Sequence, residues 1–148
     1  MKKLLLIVLV LIIFSLNITG YSSKTEEKLF FNQGYFGTVS LYQSYLNIGM
    51  VTDLWSKKIY TPENSKEILK MIKGFMSGAI GNLKDLSELQ MTKSDKEGIL
   101  QLMNISKDLY DEAVYILKYM DSKDQSDLDQ YQYFRKMAWK KLQDLMKK

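Results

Sequence analysis

Residues 61–90 read TPENSKEILKMIKGFMSGAIGNLKDLSELQ. Thr61 is a good helix N-cap, and Pro62 suits the first helical position, where its missing N–H would have had no partner anyway. Beyond them Ile68, Ile72, Phe75, Ala79, Leu83 and Leu86 step by three or four residues, the spacing of one face of an α-helix. The stretch predicts a helix over 62–90 with one apolar face and one charged face. Such a helix is stable only when other elements cover the apolar side.

The same pattern continues downstream. Ser94-Asp95-Lys96-Glu97 reads as a capping box opening a helix over 95–120, with Ile99, Leu102, Leu109, Ala113, Ile116 and Met120 as its stripe. Ser122 to Asp127 is a polar break with caps in Asp124 or Ser126. A last helix, about 125–146, carries Leu128, Tyr131, Phe134, Ala138, Leu142 and Leu145. Its acids (Asp124, Asp127, Asp129) stand at the start and Lys140, Lys141, Lys147 and Lys148 at the end, which complements the helix dipole. Upstream, a first helix is expected over about 25–60. Short connections between long helices favour antiparallel neighbours, so residues 21–148 are expected to form an all-α, up-down four-helix bundle.

The first of these helices is unlike the others. No charged residue occurs between Lys28 and Asp53, and Phe30, Phe31, Tyr35, Phe36, Tyr42, Tyr45 and Trp55 spread around its circumference. Its main polar side chains are Asn32, Gln33, Gln43 and Asn47. A helix neutral or apolar all round is ordinarily buried on more than one side, whereas a four-helix bundle leaves each helix a wet face. A tyrosine-rich surface tolerates partial exposure; the alternative is that a partner, a second copy, a membrane surface or a ligand covers it. Small residues add a second pattern: Gly34, Gly37, Ser40, Ser44 and Gly49 on this helix, and Gly74, Ser77, Gly78 and Gly81 on the next. With a reversal near Thr61, Gly49 is expected level with Gly74 and Ser44 with Gly78. This seam would serve either close backbone packing or room for a ligand ringed by Tyr42, Tyr45 and Phe75.

Ahead of the bundle, Lys2 and Lys3 precede an unbroken apolar run, Leu4 to Phe14, and Ser15-Leu16-Asn17-Ile18-Thr19-Gly20 then turns polar and small. Charged start, apolar centre and small-residue end are the parts of a secretory signal, expected over 1–20. The run is short for a membrane span, which needs roughly 20 residues; the alternative is an uncleaved anchor over residues 4–18. Ile18-Thr19-Gly20, followed by Ser22-Ser23-Lys24, resembles the lipobox of bacterial lipoproteins. In that family a lipidated cysteine follows the glycine. Here the position is Tyr21, which has no thiol and cannot be acylated in that way. The resemblance covers about the first 24 residues and implies either an ordinary secreted protein cut after Gly20 or a lipoprotein descendant without its anchor.

Composition narrows the chemistry. Cysteine and histidine are both absent from the 148 residues. That removes Cys/His zinc sites, cysteine nucleophiles, Ser-His-Asp triads and the Glu-x-x-His ligands of di-iron bundles. Setting aside Lys2 and Lys3 leaves 19 basic against 17 acidic residues, too even a balance to argue for nucleic acid. Asp108, Asp111 and Glu112 cluster at helical spacing and read as a solvated acidic face rather than an acid–base pair. Asp121, Asp124, Asp127 and Asp129 lack the spacing and central glycine of a calcium loop and read as caps. Eight methionines beyond Met1 read as adaptable core filling rather than copper ligands. Tyr133, Phe134, Arg135, Lys136, Trp139, Lys140 and Lys141 interleave rings with bases, and read as a solvated basic helix end or a weak membrane contact.

The expected function is an exported, non-enzymatic binding or interaction module, periplasmic or extracellular, with no metal and no cofactor. Its contact surface is expected on the first helix and its seam with the second, at Gln33, Tyr35, Tyr42, Gln43, Tyr45, Asn47, Phe75 and Gly78. The partner would be a second copy or an envelope protein. The alternative is a sensor-like four-helix domain taking a small apolar or aromatic ligand.

Overall fold

The computed structural model describes the backbone of residues 23–147 and the side chains from Gly34 onward, Tyr35 excepted. The leader over 1–20, its Tyr21 end and the side chains of Phe30, Phe31, Gln33 and Tyr35 lie outside the described residues. The chain divides into two compact units, residues 1–31 and 32–148. The first contributes helical backbone from Ser23, and everything below concerns the second.

Four helices follow one another: α1 (Ser23–Ser56), α2 (Pro62–Ser87), α3 (Lys93–Ser122) and α4 (Gln125–Met146). Their ends follow local chemistry. Thr61 accepts the Asn64 N–H ahead of Pro62. α3 opens at Thr92 rather than Ser94. The Thr92 hydroxyl accepts the Asp95 N–H at 3.2 Å and donates to Asp95 Oδ2 at 2.6 Å. Thr92-Lys93-Ser94-Asp95 is itself a threonine–acid pair at capping spacing, and it starts the helix two residues earlier than the Ser94 box would. Asp124 caps α4 by accepting the Ser126 N–H at 2.9 Å. Two lysines close the preceding helices in the left-handed region, Lys58 after α1 and Lys123 at the end of α3, both at φ 58°.

Side-chain contacts fix the directions. Lys66, early in α2, pairs with Asp121, late in α3, and Tyr115 of α3 stacks on Phe134 of α4. Gly37 meets Leu102 while Trp55 meets Tyr119, so α1 and α3 run the same way. Tyr45 stacks on Trp139 while Gly49 meets Arg135, so α1 and α4 run oppositely. The result is an antiparallel up-down four-helix bundle.

Its core draws on every helix: Leu41, Ile48 and Val51 from α1, Leu69 and Met76 from α2, Ile105, Leu109, Ala113 and Ile116 from α3, and Tyr131, Ala138 and Leu142 from α4. The expected stripes of α3 and α4 line it. On α2 the deepest positions are Ser65, Leu69 and Met76, and Ile68, Ile72 and Phe75 are half-buried at the edge. Of the methionines, Met76 and Met120 fill core, whereas Met50, Met71 and Met146 are exposed. Core filling therefore accounts for only some of them.

Candidate functional site

The inner face of α1 is built from Leu41, Ser44, Ile48 and Val51, all buried. Ser44 is tolerated there because its hydroxyl donates to the Ser40 carbonyl at 2.9 Å, leaving the donor satisfied without a partner from another helix. Beside this stripe the aromatic rings find partners. Tyr42 and Tyr45 lie against Trp139 of α4, with centroids 6.3 and 5.4 Å apart. Trp55 meets Tyr119 edge-on at 6.0 Å. Such pairs add to the stabilisation from area alone.

Next to them lies a buried polar cluster. The acidic residues of α3 do not form a solvated face: Asp108 and Glu112 are buried, and Asp111 is half-exposed. The reason is their place in the sequence. Asp108 and Glu112 fall three and seven residues after Ile105, within the stripe that enters the core, and α4 supplies a cation to each. Arg135 Nη1 donates to Glu112 Oε1 at 2.8 Å, and the Lys141 ammonium lies 2.7 Å from Asp108 Oδ2. Glu112 is fully shielded from solvent, and its Oε2 has no hydrogen-bond partner. Burial pushes its carboxyl up to about 7, against the pull of Arg135.

Arg135 also reaches α1. Its guanidinium lies 4.4 Å above the centre of the Tyr45 ring, and Nη1 is 3.4 Å from the Tyr45 carbonyl. It fills the notch left by the missing side chain of Gly49. One side chain thus ties α1 to α3 and α4. Arg135 and Lys141 turn inward and Phe134 and Trp139 are packed, so the ring-and-base run of α4 leaves Tyr133, Lys136 and Lys140 as its exposed members.

The other side of α1 carries a second apolar row. Phe36, Val39, Leu46 and Met50 are 54, 41, 46 and 52% exposed, and Gln43 is exposed between them. Residues 36, 39, 43, 46 and 50 alternate steps of three and four, so they form one straight line along a helix. Leu46 and Ile48 are two residues apart, which on an α-helix places them on opposite sides. The core residue and the exposed one are therefore back to back.

The expected site residues separate accordingly. Tyr42 and Tyr45 come together on Trp139, Asn47 is half-buried, and Gln43 is exposed on the outer row. Phe75 is packed against the core from α2. Gly78 is exposed, with no atom within 4 Å of where its side chain would begin, and the same holds for Gly74 and Gly81. The close approach expected at those glycines is absent. Gly49 instead takes Arg135 of α4, and Gly37 takes Leu102 of α3 at 3.5 Å, while Gly34 meets nothing within 4 Å. Val39, Leu46 and Met50 were not among the candidates, although their seven-residue spacing is visible in the sequence.

One open groove, about 620 Å³, lies at the end of the bundle between Trp55, Ile59, Tyr60, Tyr119 and Lys123. The Lys123 ammonium lies 4.3 Å over Trp55 and donates to the Met120 carbonyl at 3.0 Å. That places a cation against the carbonyl end of α3, where it is favoured. Among the described residues no helix is long and apolar enough to cross a membrane. Comparison with protein-family models, with curated proteins and with solved structures gave no match.

Proposed function

We propose that this chain is an exported, non-enzymatic association module whose working surface is the outer face of α1. The observation that carries this reading is the exposed row Val39, Gln43, Leu46 and Met50, directly behind the core residues Leu41, Ile48 and Val51. Scattered exposed apolar side chains are ordinary on any protein; a continuous row at seven-residue spacing is the seam by which helices pair. The remainder of the bundle holds that row in place, with Arg135 and Trp139 seating α1 from behind. Export rests on the leader sequence, Lys2 to Gly20.

A photo-crosslinking amino acid at position 46, in protein produced and exported in its own host, tests the reading. Irradiation is expected to join the chain to another polypeptide from position 46 and not from a matching probe at Gly78. Absence of any polypeptide adduct at position 46 would remove the outer face as a protein-binding surface. Recovery of the protein from the cytoplasm with residues 1–20 intact would remove export.

A further inference from the structure

The outer row of α1 has properties that select its occupant. Its members fit the two core positions of a heptad, Phe36, Gln43 and Met50 in one and Val39 and Leu46 in the other. A row of that spacing is the seam into which another helix fits. Within α1 itself the row and its flanking positions contain no charged residue. Ser40 and Asn47 border it on one side, Tyr42 and Gly49 on the other, and Asp53 is the first charged residue after Lys28. In a parallel, in-register pair each core residue meets its own copy, so a charge within the row would face a like charge. Most surface helices fail that requirement, as α2, α3 and α4 do with their lysines and acids. α1 meets it over the whole of residues 36–50.

Gln43 sets the orientation. It stands in the middle of the row, among apolar neighbours, with an amide that both donates and accepts. In a parallel, in-register pair Gln43 faces Gln43 of the other copy, and the two amides satisfy each other. In an antiparallel pair the same amide meets Val39 or Leu46, and its hydrogen-bonding groups are left without partners in an apolar seam. Asp53 follows at the next core position and ends the apolar run at the solvent-facing margin.

We infer that a second copy of this chain covers the outer face of α1, the two α1 helices pairing parallel and in register through Val39, Gln43, Leu46 and Met50. This rests on the outer face being a protein-binding surface, as proposed above. The two bundles then lie on opposite sides of the paired helices, since each α1 turns its other face to its own core.

The chain has no cysteine, which makes the test direct. Val39→Cys and Leu46→Cys are introduced singly into the full chain, recovered from its host and oxidised. Each is expected to form a disulfide with its own copy, because facing positions in a parallel pair approach within disulfide reach. Gly78→Cys, on α2, is expected to remain a monomer under denaturing, non-reducing conditions. Sedimentation equilibrium of the unsubstituted protein is expected to show a dimer, and Leu46→Glu to weaken it by roughly a hundredfold or more with unchanged helical circular dichroism. A monomer at every concentration overturns the inference. So does a dimer in which neither cysteine variant links to itself, since that pairing is not in register. A photo-adduct at position 46 with a different polypeptide, and none with this chain, also overturns it while leaving the association reading intact. No polypeptide adduct at all removes both.

Discussion

The guanidinium of Arg135 occupies the space that a side chain at residue 49 would need: its Cζ lies 2.7 Å from the position of a Cβ on Gly49. The same guanidinium holds the buried carboxylate of Glu112. Alanine is normally the better helix former by up to about 1 kcal/mol. Gly49→Ala is nevertheless expected to destabilise the bundle by about 1–3 kcal/mol, because it pushes Arg135 off a carboxylate that has no other partner. Urea denaturation of the variant checks this, and an unchanged or higher midpoint would show that the guanidinium has somewhere else to go.

The buried pair also makes stability depend on pH. Glu112 binds its proton more tightly folded, at about 7, than unfolded, near the ordinary 4.5. Between those values the folded state holds more protons, so stability falls as pH rises through the window and is level above it. The fall is on the order of 3 kcal/mol. Denaturation midpoints measured at pH 5 and pH 7.5 are expected to differ in that sense for the unsubstituted protein and to converge in Glu112→Gln. Asp108 and Arg135 are the charged groups whose coulombic influence acts on Glu112 itself.

The glycines of α2 make the opposite prediction to Gly49. Gly74, Gly78 and Gly81 are exposed, and nothing lies within 4 Å of an added Cβ. Each substitution by alanine is expected to stabilise the bundle by about 0.5–1 kcal/mol, through helix propensity alone. Thermal denaturation of the triple variant reads the sum. A loss of stability would mean that something outside this chain's own fold requires the small face of α2.

Two lysines in the left-handed region are expected to respond differently to glycine. At Lys58 the substitution removes a conformational cost of about 1 kcal/mol and stabilises. At Lys123 the same relief is offset, because Lys123 bonds the Met120 carbonyl and covers Trp55. Comparing the two midpoints separates backbone strain from side-chain contact. Equal gains would mean that the Lys123 contacts contribute nothing to stability.

Much of the architecture was legible in residues 61–146. Thr61-Pro62 and Asp124 mark helix starts by chemistry that acts within a few residues, and the α3 stripe from Ile99 to Met120 needs only periodicity. α3 starts from Thr92 rather than Ser94 because two overlapping cap signals compete, and Thr92 wins with its side-chain bond to Asp95. The buried acids were missed for another reason. Charge argues for solvent unless a counter-charge waits on a neighbouring helix, and that pairing is set by packing. A clue existed: Glu112 sits between Leu109 and Ile116, and Arg135 between Tyr131 and Ala138, so opposite charges interrupt two stripes at matching depth. The outer row of α1 does not stand out in the sequence because no charged residue between Lys28 and Asp53 marks a second face. The two rows separate only once the core residues Leu41, Ile48 and Val51 identify one side.

The seat of α1 is made late. Tyr45 and Arg135 are 90 residues apart, and Trp139 lies farther still along the chain. α2 and α3 are neighbours joined by a short turn, and their hairpin can close while α4 is still inside the ribosome. α1 can meet α3 through Leu102 and Tyr119 before then, but its Tyr45 and Gly49 side stays uncovered until α4 has emerged. The arginine that completes the bundle is thus among the last of its contacts that synthesis makes available.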